Sequence, residues 1–216
     1  VPSDVPGLDD YFGRLHASFG APVGSTLLHG GFTAEARHDE GEFRDVLFDV
    51  DVVGYLRNQA LPGSTLFLRA SYGGGWNTYL PYQLSLGGRE GVRSLKEDLF
   101  PGGRMTKFVV EERYMFPWPR RGVADIGVTA FWDIGRVSAG DAPYGVDSDW
   151  ESALGFGFRI GLPSRTRNVF RTDVAFPVGG GDPLFRFTFE LNLLREGFYT
   201  PDVARSRRFN LGAEHF

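Results

Sequence analysis

Residues 124–135 read Ala-Asp-Ile-Gly-Val-Thr-Ala-Phe-Trp-Asp-Ile-Gly, and this stretch decides the fold class. Every second residue from Ala124 to Ile134 is apolar, while Asp125 and Asp133 fall in the alternate set. Successive side chains of a β-strand point to opposite faces, whereas a helix would scatter the two aspartates around its circumference. The period of two therefore predicts a strand with one apolar and one polar face.

The same period recurs along most of the chain. In residues 45–52, valine and phenylalanine occupy one set of alternate positions, and three aspartates with Leu47 occupy the other. The connections between such segments are rich in Pro, Gly, Asn and Asp, as turns are. The sequence therefore predicts an all-β, antiparallel up-and-down β-barrel of about ten strands. We expect these strands near residues 10–20, 26–37, 44–57, 64–75, 80–87, 104–117, 122–137, 150–162, 167–178 and 183–194.

Composition excludes several other classes of protein. Hydrophobic residues make up 42% of the 216 residues, which argues against a disordered chain. The absence of cysteine excludes a disulfide framework and a cysteine-based zinc site. The net charge of −4 argues against a dedicated nucleic-acid binder. No apolar run approaches the roughly 20 residues of a transmembrane helix, whereas a barrel strand needs only about 9–11 residues.

Alternation alone does not show which face meets water, because a soluble sandwich or lipocalin-like barrel alternates in the same way. Three features favour a transmembrane barrel. The apolar faces are heavy in Phe, Val, Ile and Leu, and the polar faces mix small residues with charges of both signs. Aromatic residues also lie near predicted strand ends, among them Tyr79, Tyr82, Trp118 and Trp150. On this basis Phe156→Arg should impair membrane insertion, and Gly157→Ser should do far less.

Two connections are long, Gly87 to Gly103 and Ser138 to Asp149, and they lie two connections apart. An up-and-down meander therefore places both at one end, with short turns at the other, as in outer-membrane barrels. Glu112 conflicts with the pattern, because it falls among residues predicted to face lipid. A bulge at Glu111–Glu112, or a position near the membrane interface, would remove the conflict.

From residue 86 to residue 194 the chain carries a series of short motifs in order. Residues 86–93 read Leu-Gly-Gly-Arg-Glu-Gly-Val-Arg, and residues 130–137 read Ala-Phe-Trp-Asp-Ile-Gly-Arg-Val. With residues 107–113, 155–159, 170–177 and 185–189, they resemble the C-terminal barrel of the BamA/TamA-like outer-membrane assembly and translocation superfamily. This group is also called the bacterial surface antigen family. The second motif is similar to the family's F-x-D-x-G-x-V strand.

The resemblance implies a location and a function. Residues 1–194 would form a transmembrane barrel with an inward-folded loop at 87–103, and residues 195–216 a C-terminal extension. The chain would lie in the bacterial outer membrane and insert or translocate proteins there, without catalysis, metal or cofactor. Its partners would be outer-membrane lipid and unfolded outer-membrane or secreted proteins, with no nucleic acid. Further partners would be copies of the chain itself or a missing periplasmic domain.

The resemblance also implies a structural lock on the inward loop, made by Arg93 with Glu111 and Asp133. Alternation independently predicts that Glu111 and Asp133 point inward from adjacent strands. A planar guanidinium suits two carboxylates in a poorly solvated interior. The alternative is that Arg93 lies on a solvated loop and the carboxylates line water. Other charges predicted to face the lumen are Arg113, Arg159, Arg171 and Asp173.

The chain departs from the family pattern in two respects. The family's Val-Arg-Gly-aromatic motif reads Val92-Arg93-Ser94-Leu95 here. The chain also has about ten predicted strands, whereas the family's barrels have sixteen. It would then be a fragment, a reduced member or one part of an oligomeric barrel.

Two other functions remain open on the sequence. One is a passive pore or the membrane-anchor barrel of a larger protein, such as a patatin-like lipase; the other is a soluble ligand-binding β-barrel. The four histidines are scattered and no G-x-S-x-G motif occurs, so no enzymatic site is predicted.

Overall fold

The computed structural model describes residues 11–39, 41–88, 91–96, 99–117, 123–161 and 169–190. These ranges contain no helix, and hence none long and apolar enough to span a membrane. The predicted all-β architecture is confirmed over this part of the chain. The predicted extension at 195–216 and the last residues of the strand near 183–194 lie outside the described residues, as does Trp118.

Nine long strands form one antiparallel sheet, and two short strands form a separate arm. Each long strand pairs with the next one along the chain, which confirms the up-and-down meander. Within the described residues the sheet is not closed, and β1 and β11 are its two edges. The strands are β1 (Tyr11–Val23), β2 (Thr26–Asp39), β3 (Glu42–Arg57), β4 (Ser64–Trp76), β5 (Leu84–Ser85), β6 (Pro101–Gly102), β7 (Arg104–Met115), β8 (Asp125–Ser138), β9 (Glu151–Gly161), β10 (Val169–Pro177) and β11 (Leu184–Glu190).

The strand predicted near residues 80–87 is wrong. Only Leu84 and Ser85 are paired there, with Gly102 and Pro101, and β4 pairs directly with β7. Apolar and polar residues alternate here because the segment is extended. The segment packs its apolar side chains on the face of the sheet and does not pair with it as a strand. The inward connection consequently runs over residues 77–103, longer than the sequence predicted.

We call the sheet face covered by this connection the inner face and the opposite one the outer face. On β9 the outer residues Phe156 and Phe158 remain 52% and 54% exposed. On β7 and β8 the inner residues Lys107, Glu111 and Asp133 are completely or almost completely buried. The protein therefore buries its charged face and exposes its apolar face, the reverse of a soluble β-sandwich.

The inward connection supplies the apolar core on the inner face. Leu86 and Val92 are fully buried, and each such burial contributes about 1.5–3 kcal/mol. Gly135 of β8 makes room, since a Cβ there would lie 2.6 Å from Leu86 Cδ1. Tyr82, predicted near a strand end, is instead 3% exposed within this cluster. The cluster is formed by Leu47, Tyr82, Leu84, Leu86, Val92, Leu95, Met105, Val137 and Ala153.

The two long connections lie at the same end of the sheet, as predicted, and they contact each other. Val146 N donates to Pro101 O at 2.8 Å, and Gly103 N donates to Ala139 O at 2.9 Å. Asn77 N donates to the Asp141 carboxylate at 2.6 Å. These bonds brace the connection at 77–103 where it enters and where it leaves the sheet.

A bulge in β3 fixes the start of the inward connection. Two residues, Asp45 and Val46, lie opposite the single residue Ala36 of β2, and Asp45 has a φ of 49°. Asp is among the residues that tolerate this left-handed conformation best. The Asp45 carboxylate accepts hydrogen bonds from the backbone N–H groups of Tyr79 and Leu80, both at 2.8 Å.

No bulge occurs at Glu111–Glu112, which excludes the first of the two alternatives that the sequence left open for Glu112. Pairing of β7 with β4 and β8 is continuous through both residues. Glu112 lies on the outer face with an exposed side chain, and its carboxylate accepts a hydrogen bond from the Ser64 hydroxyl. Because Ser64 is the first residue of β4, this carboxylate is directed towards the end of that strand.

Candidate functional site

Arg93 lies in the inward connection and is held by its buried neighbours. Val92 N donates to Leu86 O at 2.9 Å, and Leu95 N donates to Val92 O at 3.0 Å, which forms a tight turn. With Val92 and Leu95 packed in the apolar cluster, the Arg93 side chain reaches the inner face of the sheet and is only 6% exposed.

Asp133 of β8 is the main partner of Arg93. Arg93 Nε donates to Asp133 Oδ2 and Nη2 donates to Oδ1, both at 2.7 Å, in a two-pronged pair. The backbone N of Arg93 also donates to Oδ2, at 3.1 Å. The Asp133 carboxylate thus binds both the side chain and the backbone of the connection, and it is 0% exposed.

Glu111 of β7 contacts several arginines at once. Its carboxylate accepts hydrogen bonds from Arg93 at 2.7 Å, Arg113 at 2.8 Å and Arg159 at 3.3 Å. Arg171 adds an ion pair at 3.9 Å. Glu111 is therefore the centre of the network, and Arg93 is one of its four cationic partners.

Asp173 of β10 completes the network on the far side. Arg159 Nη1 donates to Asp173 Oδ1 at 2.6 Å. Arg93 and Arg171 lie within ion-pair distance of its other oxygen, at 3.6 Å and 3.9 Å. The structure thus brings every predicted lock and lumen-facing residue into one cluster: Arg93, Arg113, Arg159, Arg171, Glu111, Asp133 and Asp173.

The network contains four arginines and three carboxylates. Burial opposes the charge on Arg93, but the hydrogen bond and charge of Asp133, with the charges of Glu111 and Asp173, outweigh it. The pKa of Arg93 is consequently raised above its ordinary value. Arg93 stays charged at every accessible pH, so the lock always keeps its positive partner.

Phe131 and Gly155 form a layer beneath Arg93 that sequence reasoning did not identify. The Arg93 guanidinium lies 3.4 Å from the centre of the Phe131 ring, a close cation–π contact. The ring in turn covers Gly155 of β9, where a Cβ would lie 2.2 Å from it. One signal was present in the sequence, because Phe131 alternates onto the polar face.

Gly157 is also constrained, against the expectation that Gly157→Ser is mild. A Cβ at Gly157 would lie 2.0 Å from Asp173 Oδ1 and 2.4 Å from Thr172 O. Any side chain here would push Asp173 away from Arg159. The alternation of polar and apolar residues does not predict this constraint. The constraint depends on how closely the Asp173 carboxylate packs against the backbone of Gly157.

Arg186 of β11 ties the connection to the last described strand. Its Nε donates to Arg93 O at 2.8 Å, and its Nη2 donates to Leu95 O. Arg186 alternates with Phe185 and Phe187 and so lies on the polar face of its strand. The contact links the turn that carries Arg93 directly to an edge of the sheet.

The site is built to hold a segment of chain against a wall. In the part of the chain that the structure describes, no group of three His, Asp or Glu residues is arranged to hold a metal ion. The charged groups saturate one another instead, with two-pronged and multiple contacts. Their geometry supports fixing the connection at residues 77–103 to strands β7, β8 and β10.

No protein-family model matches this chain, and no curated protein matches it significantly. The resemblance to the BamA/TamA-like superfamily therefore stays a prediction from the sequence motifs.

Proposed function

We propose that this protein is a β-barrel of the bacterial outer membrane, related to the factors that insert or translocate proteins there, and that it acts mechanically, without catalysis. Its apolar outer face contacts lipid, and its charged inner face holds the inward connection. Unfolded outer-membrane or secreted proteins are its clients. An exposed strand edge offers them unpaired backbone N–H and C=O groups.

The observation that carries the membrane part of this proposal is the reversed polarity of the sheet. Outer residues such as Leu154, Phe156 and Phe158 are about half exposed, while the charged residues are buried. Contiguous exposed apolar surface of this kind indicates a lipid or protein interface. It disfavours a soluble ligand-binding barrel, whose exposed face would be polar.

The relation to assembly factors is supported by the contacts of the motifs. Arg93 from the first motif pairs with Asp133 from the F-x-D motif and with Glu111 from the strand between them. The connection packs along the inner face through its apolar cluster. A segment that fills this space disfavours a wide passive pore and suits a barrel whose wall is held in a defined shape.

Reconstitution tests the membrane part of the proposal. The purified chain should need detergent, and it should insert into phosphatidylcholine vesicles with protease-resistant strands. A monomer that remains folded and fully soluble in detergent-free buffer would contradict it.

A folding assay tests the client part. Vesicles carrying the protein should accelerate the insertion of a urea-unfolded eight-stranded outer-membrane barrel, and Arg93→Ala should reduce that acceleration. Empty vesicles provide the baseline. Unchanged client insertion in vesicles that do contain the protein would favour a passive anchor barrel instead.

A further inference from the structure

Two arginines on the outer face, Arg104 of β7 and Arg136 of β8, form a patch outside the inner network. In the β7–β8 register, Thr106 lies opposite Arg136, and Arg104 lies opposite Ser138. The two arginines are therefore diagonal neighbours on one face, at a spacing of about 7–8 Å. Two long side chains at this spacing can converge on a single anionic group.

Neither arginine is neutralised by a carboxylate within the described residues. Arg136 Nε donates to the backbone oxygen of Ser148 at 3.1 Å, which leaves its two terminal nitrogens available. The Arg104 guanidinium lies 5.0 Å from the Trp76 ring centre, and its buried Nε has no hydrogen-bond partner in the described part of the chain. Asp149, close to Ser148 in sequence, makes no ion pair with either arginine there. Within the described residues, the patch thus carries two positive charges without a carboxylate partner.

The patch lies at the border of the apolar outer surface. The next outward pair towards the middle of the two strands is Phe108 with Ile134. Trp150 stacks on Phe108 with ring centres 6.3 Å apart. Tryptophan is typical of the membrane–water interface, at the level of the lipid headgroups. An anion held by the arginines would lie about one residue pair, or roughly 7 Å, beyond this apolar edge.

We propose that Arg104 and Arg136 bind the phosphate of an anionic lipid headgroup, whose acyl chains lie against Phe108 and Ile134. Arginine binds phosphate well because its planar group donates two parallel hydrogen bonds. The apolar border favours a lipid phosphate over free phosphate, since only the lipid also covers the adjacent apolar surface. This inference rests on the proposed function, in which the outer face contacts lipid.

Tryptophan quenching by brominated lipids tests the site locally. A variant that keeps Trp150 and carries phenylalanine at the other three tryptophans is inserted into phosphatidylcholine vesicles containing phosphatidylglycerol. Phosphatidylcholine and phosphatidylglycerol are brominated in separate samples. The ratio of Trp150 quenching in the two samples gives the relative binding of the two lipids next to Trp150. We expect phosphatidylglycerol to be preferred, with each arginine contributing about a fivefold preference. Arg104→Gln and Arg136→Gln should each lower the preference, and the double variant should abolish it.

Arg57→Gln is the matched control, because Arg57 is an exposed arginine at the last position of β3. This position lies at the end of the sheet away from Arg104 and Arg136. The control variant should leave the preference at Trp150 unchanged. Equal quenching by both lipids in the starting variant, or an equal loss in Arg57→Gln, would overturn the site while leaving the membrane proposal intact. Loss of the preference when sodium phosphate replaces sodium chloride at equal ionic strength would overturn the lipid assignment. Absence of quenching by either lipid would contradict both this site and the proposed function.

Discussion

At the scale of single residues, the partners of Arg93 have unequal importance. If Arg93 is removed, Glu111 still has Arg113 and Arg159, but the Asp133 carboxylate loses a two-pronged bond at 0% exposure. Removing one partner of a buried ion pair costs about 3–5 kcal/mol, because the remaining charge is stranded. Asp133 is therefore the group that makes Arg93 indispensable.

A pair of double-mutant cycles measures this difference. We expect Arg93→Ala and Asp133→Asn to be strongly non-additive, with a coupling of about 2–3 kcal/mol, because Asp133→Asn removes the stranded charge. The cycle of Arg93→Ala with Glu111→Gln should give a smaller coupling. Urea unfolding in detergent micelles supplies the free energies. Equal couplings, or additive losses in the first cycle, would show that Asp133 has no special role.

Gly155 supports the packing of Arg93 on the Phe131 ring, because its lack of a side chain leaves room for that ring. Gly155→Ala should cost about 1–3 kcal/mol, because the new methyl group displaces the ring on which Arg93 rests. Gly13→Ala in β1 is the control, since no atom lies within 4 Å of a Cβ there. Thermal melting of both variants in detergent gives the comparison. A similar melting temperature for the two would contradict the layered packing.

At the scale of elements, the sequence predicts the long strands well and the inward connection poorly. Over the described residues, the nine strands of the sheet lie within a few residues of their predicted positions, because most of them bury one face and expose the other. Alternation also placed Glu111, Asp133 and Asp173 together on the inner face. It failed at residues 80–87, where the chain is extended but packs through side chains instead of through backbone pairing.

The other features that the sequence did not predict are contacts between elements distant in sequence. The bulge at Asp45 serves Tyr79 and Leu80, more than 30 residues away. Arg186 binds carbonyl groups of the turn at Arg93 and Leu95. Periodicity reports the face on which a residue lies, but it does not report which distant segment covers that face.

Arg186 should couple the inward connection to strand β11. Arg186→Gln removes hydrogen bonds from a charged donor to two carbonyls, which are worth about 1.5–3 kcal/mol each. Amide hydrogen exchange in residues 184–187 should then accelerate about tenfold or more. Arg57→Gln should leave exchange in β11 unchanged. Protection that is identical in Arg186→Gln and the unaltered protein would mean that the edge strand is held by its pairing with β10 alone.

At the scale of the whole molecule, the direction of the strands limits how the sheet can close into a barrel. Because nine strands alternate in direction, β1 and β11 run the same way, and they cannot pair antiparallel with each other. Antiparallel closure therefore requires strands beyond these nine. The exposed edges of the described sheet are compatible with a barrel that further strands complete. They are equally compatible with the proposed pairing of an edge with a client strand.

A charge on the outer face tests how the whole sheet is solvated. Phe156→Arg should destabilise the inserted protein by about 2–4 kcal/mol if this position lies near the middle of the bilayer. Tyr144→Arg, at a 95% exposed residue of the connection between β8 and β9, should change little. Folding yields in phosphatidylcholine vesicles provide the measurement. Equal yields for both variants would place Phe156 outside the lipid.

Nitroxide accessibility tests the central claim most directly, because the chain has no native cysteine to interfere. Single cysteines at Ala130 and Leu154 on the outer face, and at Tyr144 in the connection, are spin-labelled in vesicles. Their accessibility to oxygen, which concentrates in lipid, is compared with that to a water-soluble nickel chelate. We expect oxygen to dominate at Ala130 and Leu154, and the nickel chelate to dominate at Tyr144. Access of the nickel chelate to Ala130 and Leu154 equal to that at Tyr144 would contradict a lipid-facing outer surface.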